Sequence, residues 1–130
     1  MRNDKNNLIV GLTFQFSLDI IEFCELLQNE KKFNLSNQLF RSGTSIGANT
    51  REAQNAESKA DFIHKLKIAA KEADESEYWL LLCKQSKNYP DSSNLLNKTE
   101  SIIKVLSKII SSSKSINTSS SNLQIIKSSN

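Results

Sequence analysis

Glycine and proline are scarce in this chain: three glycines and one proline stand among 130 residues. A protein of many short strands and tight turns needs more of both, because glycine supplies positive φ and proline presets turn geometry. An all-α fold is what that shortage leaves. Histidine occurs once, at His64, and cysteine twice, at Cys24 and Cys83. The two cysteines are far apart in sequence and lie among apolar residues. They read as buried thiols acting as small hydrophobes rather than as a metal pair or a disulfide. No run approaches the ~20 apolar residues that a membrane span needs. The opening MRNDKNN is polar, with no apolar stretch and small-residue cleavage site behind it, so no secretory signal is expected and a cytoplasmic location is.

A surplus of one charge is missing as well. The net charge is +3. Lys114 and Lys127 are the only charged residues from 114 to 130, which leaves 15 basic and 14 acidic residues in the rest. A body at +1 has no clustered excess of the kind that draws nucleic acid by charge alone.

What is present is periodicity. Apolar or small residues recur at alternating steps of four and three through Leu35, Leu39, Ser42, Ile46, Asn49, Ala53 and Ala56. The rhythm restarts at Phe62 and runs through Leu66, Ala69, Ala73, Ser76, Leu80 and Cys83. Such spacing keeps one helix face in register with a neighbour. The pattern predicts two helices here, hinged near 57–58 and flanked by one helix on each side. The first covers 8–29, with Ile9, Leu12, Phe16, Ile20, Phe23 and Leu27 inward. Phe14, Leu18, Ile21 and Leu26 widen its apolar arc beyond one stripe, as a contact with another helix or subunit requires. Asn34 or Ser36 is expected to cap the second, which runs to about 56. Its segment SGTSIGANT is poor in helix formers, yet Leu39, Ile46 and Ala53 hold phase across it. Ser58 caps the third, which runs to about 87, with Lys84 and Lys87 favourable to its C-terminal dipole. Asn88-Tyr89-Pro90 breaks it. Asp91 or Ser92 caps the fourth, which spans about 93–112 with Leu95, Thr99, Ile102, Leu106 and Ile109 on one stripe. The domain plan is therefore a frayed 1–7, a four-helix domain at 8–112, and a mostly disordered Ser/Asn-rich tail at 113–130. Short connections between long helices imply an antiparallel up-down-up-down bundle.

Few residues invite chemistry. Arg41, Ser45, Asn49 and Glu52 share a helix face. They read as a polar seam that fixes helix register or subunit pairing, with a ligand or partner contact as the functional alternative. Glu72, Asp74, Glu75 and Glu77 concentrate acid on the third helix. A di-metal carboxylate bundle wants Glu-x-x-His pairs on two helices; here the single His64 has Asp61 three residues before it. No metal, cofactor or small-molecule substrate is expected. SGTSIG lacks the lysine and the preceding strand of a phosphate loop. Tyr78 and Trp79 read as core or interface aromatics. Arg51, Lys59, Lys65, Lys67 and Lys71 form a modest basic set, read first as a solvated face paired with nearby acids and otherwise as a contact for RNA or DNA. No nucleophile stands with a base and an orienting group, so no enzyme and no catalytic residue is assigned.

The segments RSGTSIGAN, REA and KADFIHKLKIAAKEADESEYWL closely resemble the signature of the four helix bundle protein family, also called 23S rRNA intervening-sequence proteins. The accessory proteins of diversity-generating retroelements are similar. The likeness covers about 8–110 in layout and is most specific at 38–82. It implies a bacterial-type, cytoplasmic four-helix bundle that assembles as a homopentamer. Arg41, Ser45, Asn49 and Glu52, with Phe62, Leu66, Glu75 and Glu77, match family positions that are structural or of undetermined role. Genes of many relatives lie inside ribosomal RNA insertions, and retroelement relatives present a basic surface to nucleic acid. The resulting expectation is a non-enzymatic oligomeric scaffold or adaptor whose partner is itself, with an RNA- or DNA-binding accessory role as the alternative.

Overall fold

The computed structural model describes the backbone of residues 4–129 and the side chains of residues 8–114. Four helices follow one another: α1 (Asp4–Asn29), α2 (Phe33–Ala53), α3 (Lys59–Gln85) and α4 (Ser93–Ser129). Among the described residues there is no strand. Each helix packs on two others, α1 on α2, α2 on α3, α3 on α4 and α4 on α1, the last pair meeting least extensively. The core fills the space they enclose. Phe16, Ile20 and Leu27 come from α1, Leu39 and Ile46 from α2, Leu66 and Leu80 from α3, and Ile102 and Leu106 from α4, all fully buried.

The third helix follows its sequence pattern closely: Leu66, Ala69, Ala73, Ser76, Leu80 and Cys83 are all buried. Ser58 is its cap, accepting the Asp61 N–H at 3.0 Å. The other boundaries need correction. α2 has no side-chain cap; it begins at Phe33, and neither Asn34 nor Ser36 serves. The reason lies in the preceding turn. Lys31 takes φ 64, and the N–H groups of Lys32 and Lys31 bond the carbonyls of Leu27 and Gln28 at 2.8 and 2.9 Å. This double bond pattern closes α1 with a left-handed residue, a place usually given to glycine, and leads directly into α2. Ser36 is then already inside, where its hydroxyl donates to the Cys24 carbonyl at 3.1 Å.

α2 stops at Ala53 instead of about 56, because Gln54, Asn55 and Ala56 tighten into turns bonded to the third residue back. α3 stops at Gln85, so Lys84 lies in its last turn and Lys87 lies beyond it. Asp91 rather than Ser92 caps α4 by accepting the Ser93 N–H at 3.2 Å, while the Ser92 hydroxyl donates back to the Leu80 carbonyl at 2.7 Å. Two ends run longer than composition implies. α1 begins at Asp4, inside the segment expected to fray, and α4 continues past 112 to Ser129. No glycine or proline follows Pro90, and extending an existing helix costs far less than starting one. The tail's side chains from 115 on lie outside the described residues.

One inward assignment on α1 also fails. Leu12 is 39% exposed, while Thr13 is fully buried. Thr13 can be buried because its hydroxyl donates to the Ile9 carbonyl at 2.9 Å. The helix-poor SGTSIGANT segment is helical throughout. A Cβ on Gly43 would fall 2.8 Å from the Ile20 side chain, and one on Gly47 would fall 3.1 Å from the Thr13 carbonyl oxygen. Close packing of α1 against α2 thus offsets roughly 1 kcal/mol of lost propensity at each glycine.

Candidate functional site

The polar line of α2 faces α3. Arg41 reaches across with both ends of its guanidinium, Nη1 to Glu72 Oε2 at 3.2 Å and Nη2 to Glu75 Oε2. Glu75 also accepts from Trp79 Nε1 at 3.0 Å. The indole donor and then the Arg41 guanidinium hold the Glu75 carboxyl below the usual carboxylate range. The same pairing with Glu75 and Glu72 pushes the Arg41 guanidinium up. Arg41 is half exposed, so the cluster positions side chains more than it stabilises the fold. At the other end of the line, Glu52 accepts from Lys65 at 3.3 Å.

The middle of the line does not cross to α3. The Ser45 hydroxyl donates to the Arg41 carbonyl at 2.6 Å, and Asn49 Nδ2 donates to the Ser45 carbonyl at 2.9 Å. Both bonds run back along α2. The structure therefore brings Arg41 and Glu75 together and joins Glu52 to α3, but builds no continuous side-chain line. Glu77 stands apart from Glu75, because a step of two residues turns the helix by about 200°. Beneath the surface a pair absent from the sequence reading links the same two helices: the Ser76 hydroxyl donates to Ser42 Oγ at 2.9 Å, fully buried. The i, i+4 spacing of Glu75 and Trp79 and the i, i+3 spacing of Glu72 and Glu75 were the available signals.

The basic set divides. Lys65 belongs to the Glu52 pair. Arg51, Lys59 and Lys71 are exposed. Lys67 lies beside Lys114 of α4, whose charge and proximity lower its pKa. Burial pushes the thiols of Cys24 and Cys83 to about 11 and about 12, so both are protonated at neutral pH and poor nucleophiles. Among the described residues no group of three or more His, Cys, Asp and Glu side chains gathers as a metal site, and no helix is long and apolar enough to cross a membrane.

Two surface features remain, of which the groove was not anticipated and the apolar surface on α1 was. An open groove of about 280 Å³ separates α1 from α4, lined by Asp19, Glu22, Leu26, Asp91 and Lys98 over Phe23 and Leu95. Large apolar side chains also stand in solvent: Phe14 at 56%, Leu18 at 43% and Ile21 on α1, Phe33 and Phe40 on α2, and Tyr78, Leu81 and Leu82 on α3.

The 23S rRNA-intervening sequence protein family matches residues 5–118. The chain belongs to that family. A crystal structure of a family relative, a protein of unknown function from the S23 ribosomal protein family of Bacteroides thetaiotaomicron, is 44% identical. The match covers 82% of this chain and 98% of the other, with a TM-score of 0.78. No curated protein matches. For this member of the intervening-sequence family, the chemistry on view is that of packing and pairing. Arg41, Lys65 and Lys98 pair with acids across helices, and the two thiols are held protonated.

Proposed function

We propose that this protein is a non-enzymatic, cytoplasmic scaffold or adaptor, an antiparallel up-down-up-down bundle that works as a homo-oligomer of five copies. The observation that carries the reading is the apolar surplus. The core is already filled by four helices, yet Phe14, Leu18, Ile21, Phe40, Tyr78 and Leu82 remain at least about a third exposed. On α1 the exposed side chains Phe14, Leu18 and Ile21 fall on one stripe, and an exposed apolar stripe marks an interaction surface more often than a solvent face. The pairing of Cys24 with Ser36, Ile20 with Gly43 and Thr13 with Gly47 supports the antiparallel arrangement, since α1 numbers fall as α2 numbers rise. The number five comes from the family resemblance. In this reading the two ends of the seam, Arg41 on Glu75 and Glu52 on Lys65, set the α2–α3 register that presents these faces. Light scattering coupled to size exclusion tests it: a mass near five chains is expected, and a monomer at all concentrations defeats it.

A second reading, RNA or DNA binding, draws on Lys67 beside Lys114, with Arg51, Lys59 and Lys71 exposed. Phosphate contacts produce affinity that falls steeply with salt. Gel shift against ribosomal RNA and duplex DNA across salt concentrations checks it, and no shift even at low salt removes it.

A further inference from the structure

We propose that the interface between copies joins two different faces, the outer stripe of α1 on one copy lying antiparallel on the outer stripe of α3 on the next. The inference rests on the self-association proposed above and names the surfaces that carry it. On α1 the stripe is Phe14, Leu18, Ile21 and Glu25, at steps of four, three and four, every member exposed and turned away from Phe16, Ile20, Phe23 and Leu27. On α3 the stripe is Lys71, Glu75, Tyr78 and Leu82, again at steps of four, three and four. Both therefore span the same length, about 16 Å at ~1.5 Å per residue. Alternating steps of four and three are the spacing by which two helices interlock side chains along a seam.

Direction and partner follow from the charges. Laid antiparallel, Phe14 falls opposite Leu82, Leu18 opposite Tyr78, and Glu25 opposite Lys71. Ile21 falls opposite Glu75, whose charge Arg41 and Trp79 already hold. Laid parallel, the same stripes set Phe14 against Lys71 and Glu25 against Leu82, leaving both charges without partners. Two α1 stripes laid antiparallel on each other place Glu25 against Phe14 twice, with no base in reach. Two α3 stripes place Lys71 against Leu82 twice. Of these four arrangements only the mixed antiparallel one sets Glu25 on a base while Phe14 and Leu18 meet apolar or aromatic partners, with Ile21 against Glu75 as its one mismatched pair. Such a contact uses a different face on each partner, so it repeats from copy to copy and gives a ring where the rotation between copies closes, as the five-copy reading requires.

The full-length chain tests this by charge exchange and by cross-linking. Glu25→Lys alone and Lys71→Glu alone each set like charges together, and each is expected to raise the concentration for half-dissociation about tenfold in analytical ultracentrifugation. Both changes in one chain restore the opposite pairing and bring that concentration back to within a few-fold of the starting protein. Both positions are exposed, so helicity by circular dichroism stays unchanged. If Glu25→Lys nonetheless disturbs folding, Glu25→Gln gives a smaller loss of assembly in the same direction. For cross-linking, a chain carrying Leu18→Cys is mixed with one carrying Tyr78→Cys and oxidised. Linked dimers are expected in the mixture and in neither variant alone, the native thiols being buried. Dimers from Leu18→Cys alone, no dimers in the mixture, or no recovery in the double charge variant overturns the pairing while leaving self-association intact. A starting protein that is monomeric throughout removes both.

Discussion

The seams on the two sides of α2 differ from the seam between α1 and α4. Against α1, α2 presents Ser36, Gly43 and Gly47; against α3 it presents Ser42, which meets Ser76. Small residues let the backbones approach, and buried hydroxyls find partners across the gap. The α1–α4 seam is built from Phe23, Leu26 and Leu95, with Asp19 and Lys98 paired at 2.6 Å over an open groove. Large side chains hold these helices apart, and one ion pair bridges the remainder. The contrast shows where the fold is intolerant of change: at α2, where volume is fully used, and least at the groove, where it is not.

The largest expected effect breaks the tight side. Gly43→Val drives new atoms into Ile20, whose Cγ1 already lies 2.8 Å from where a Cβ would stand. Overpacking of this kind costs about 2–3 kcal/mol, read as a lowered urea midpoint, and a second change, Ile20→Ala, recovers part of the loss. Next comes Ser76→Ala, which removes the hydroxyl joining α3 to Ser42 and costs about 1 kcal/mol by the same unfolding measurement. On the open side, Lys98→Ala removes a partly exposed ion pair and costs no more than about 1 kcal/mol. A loss at Lys98 larger than that at Gly43 would invert the contrast between the seams.

The smallest effect concerns pH. Because Trp79 and Arg41 depress the folded pKa of Glu75, its contribution to stability is present above the unfolded carboxylate value of about 4.3 and is lost as pH falls through the folded value. Glu75→Gln should therefore flatten the acid limb of a stability-against-pH profile and leave its slope near neutrality alone. An acid limb unchanged by the substitution would place the depressed carboxyl elsewhere.

Much of the helix plan was legible in the order of residues. The stripe from Leu66 to Cys83 needed only spacing, because a straight helix turns the same face inward every three or four residues. Thr13 was missed because a hydroxyl looks like surface; nothing local says that it will bond its own helix and vanish into the core. The cap expected at Asn34 or Ser36 failed since the left-handed Lys31 closes α1 so tightly that α2 begins at Phe33, which places both residues inside the helix. The polar face of Arg41, Ser45, Asn49 and Glu52 was visible as a face. That Arg41 would find Glu72 and Glu75 while Ser45 and Asn49 turn back on their own helix was not.

By itself the sequence determined that there are four helices, roughly where they lie, and most of the residues that face inward in each. Those properties depend on neighbours three and four residues away, and the order of residues sets them directly. The tertiary structure alone decided which small residue meets which helix, which acid neutralises Arg41, and where the unburied phenylalanines and leucines point. Those outcomes join residues tens of positions apart, and only the packing of whole helices on one another fixes them.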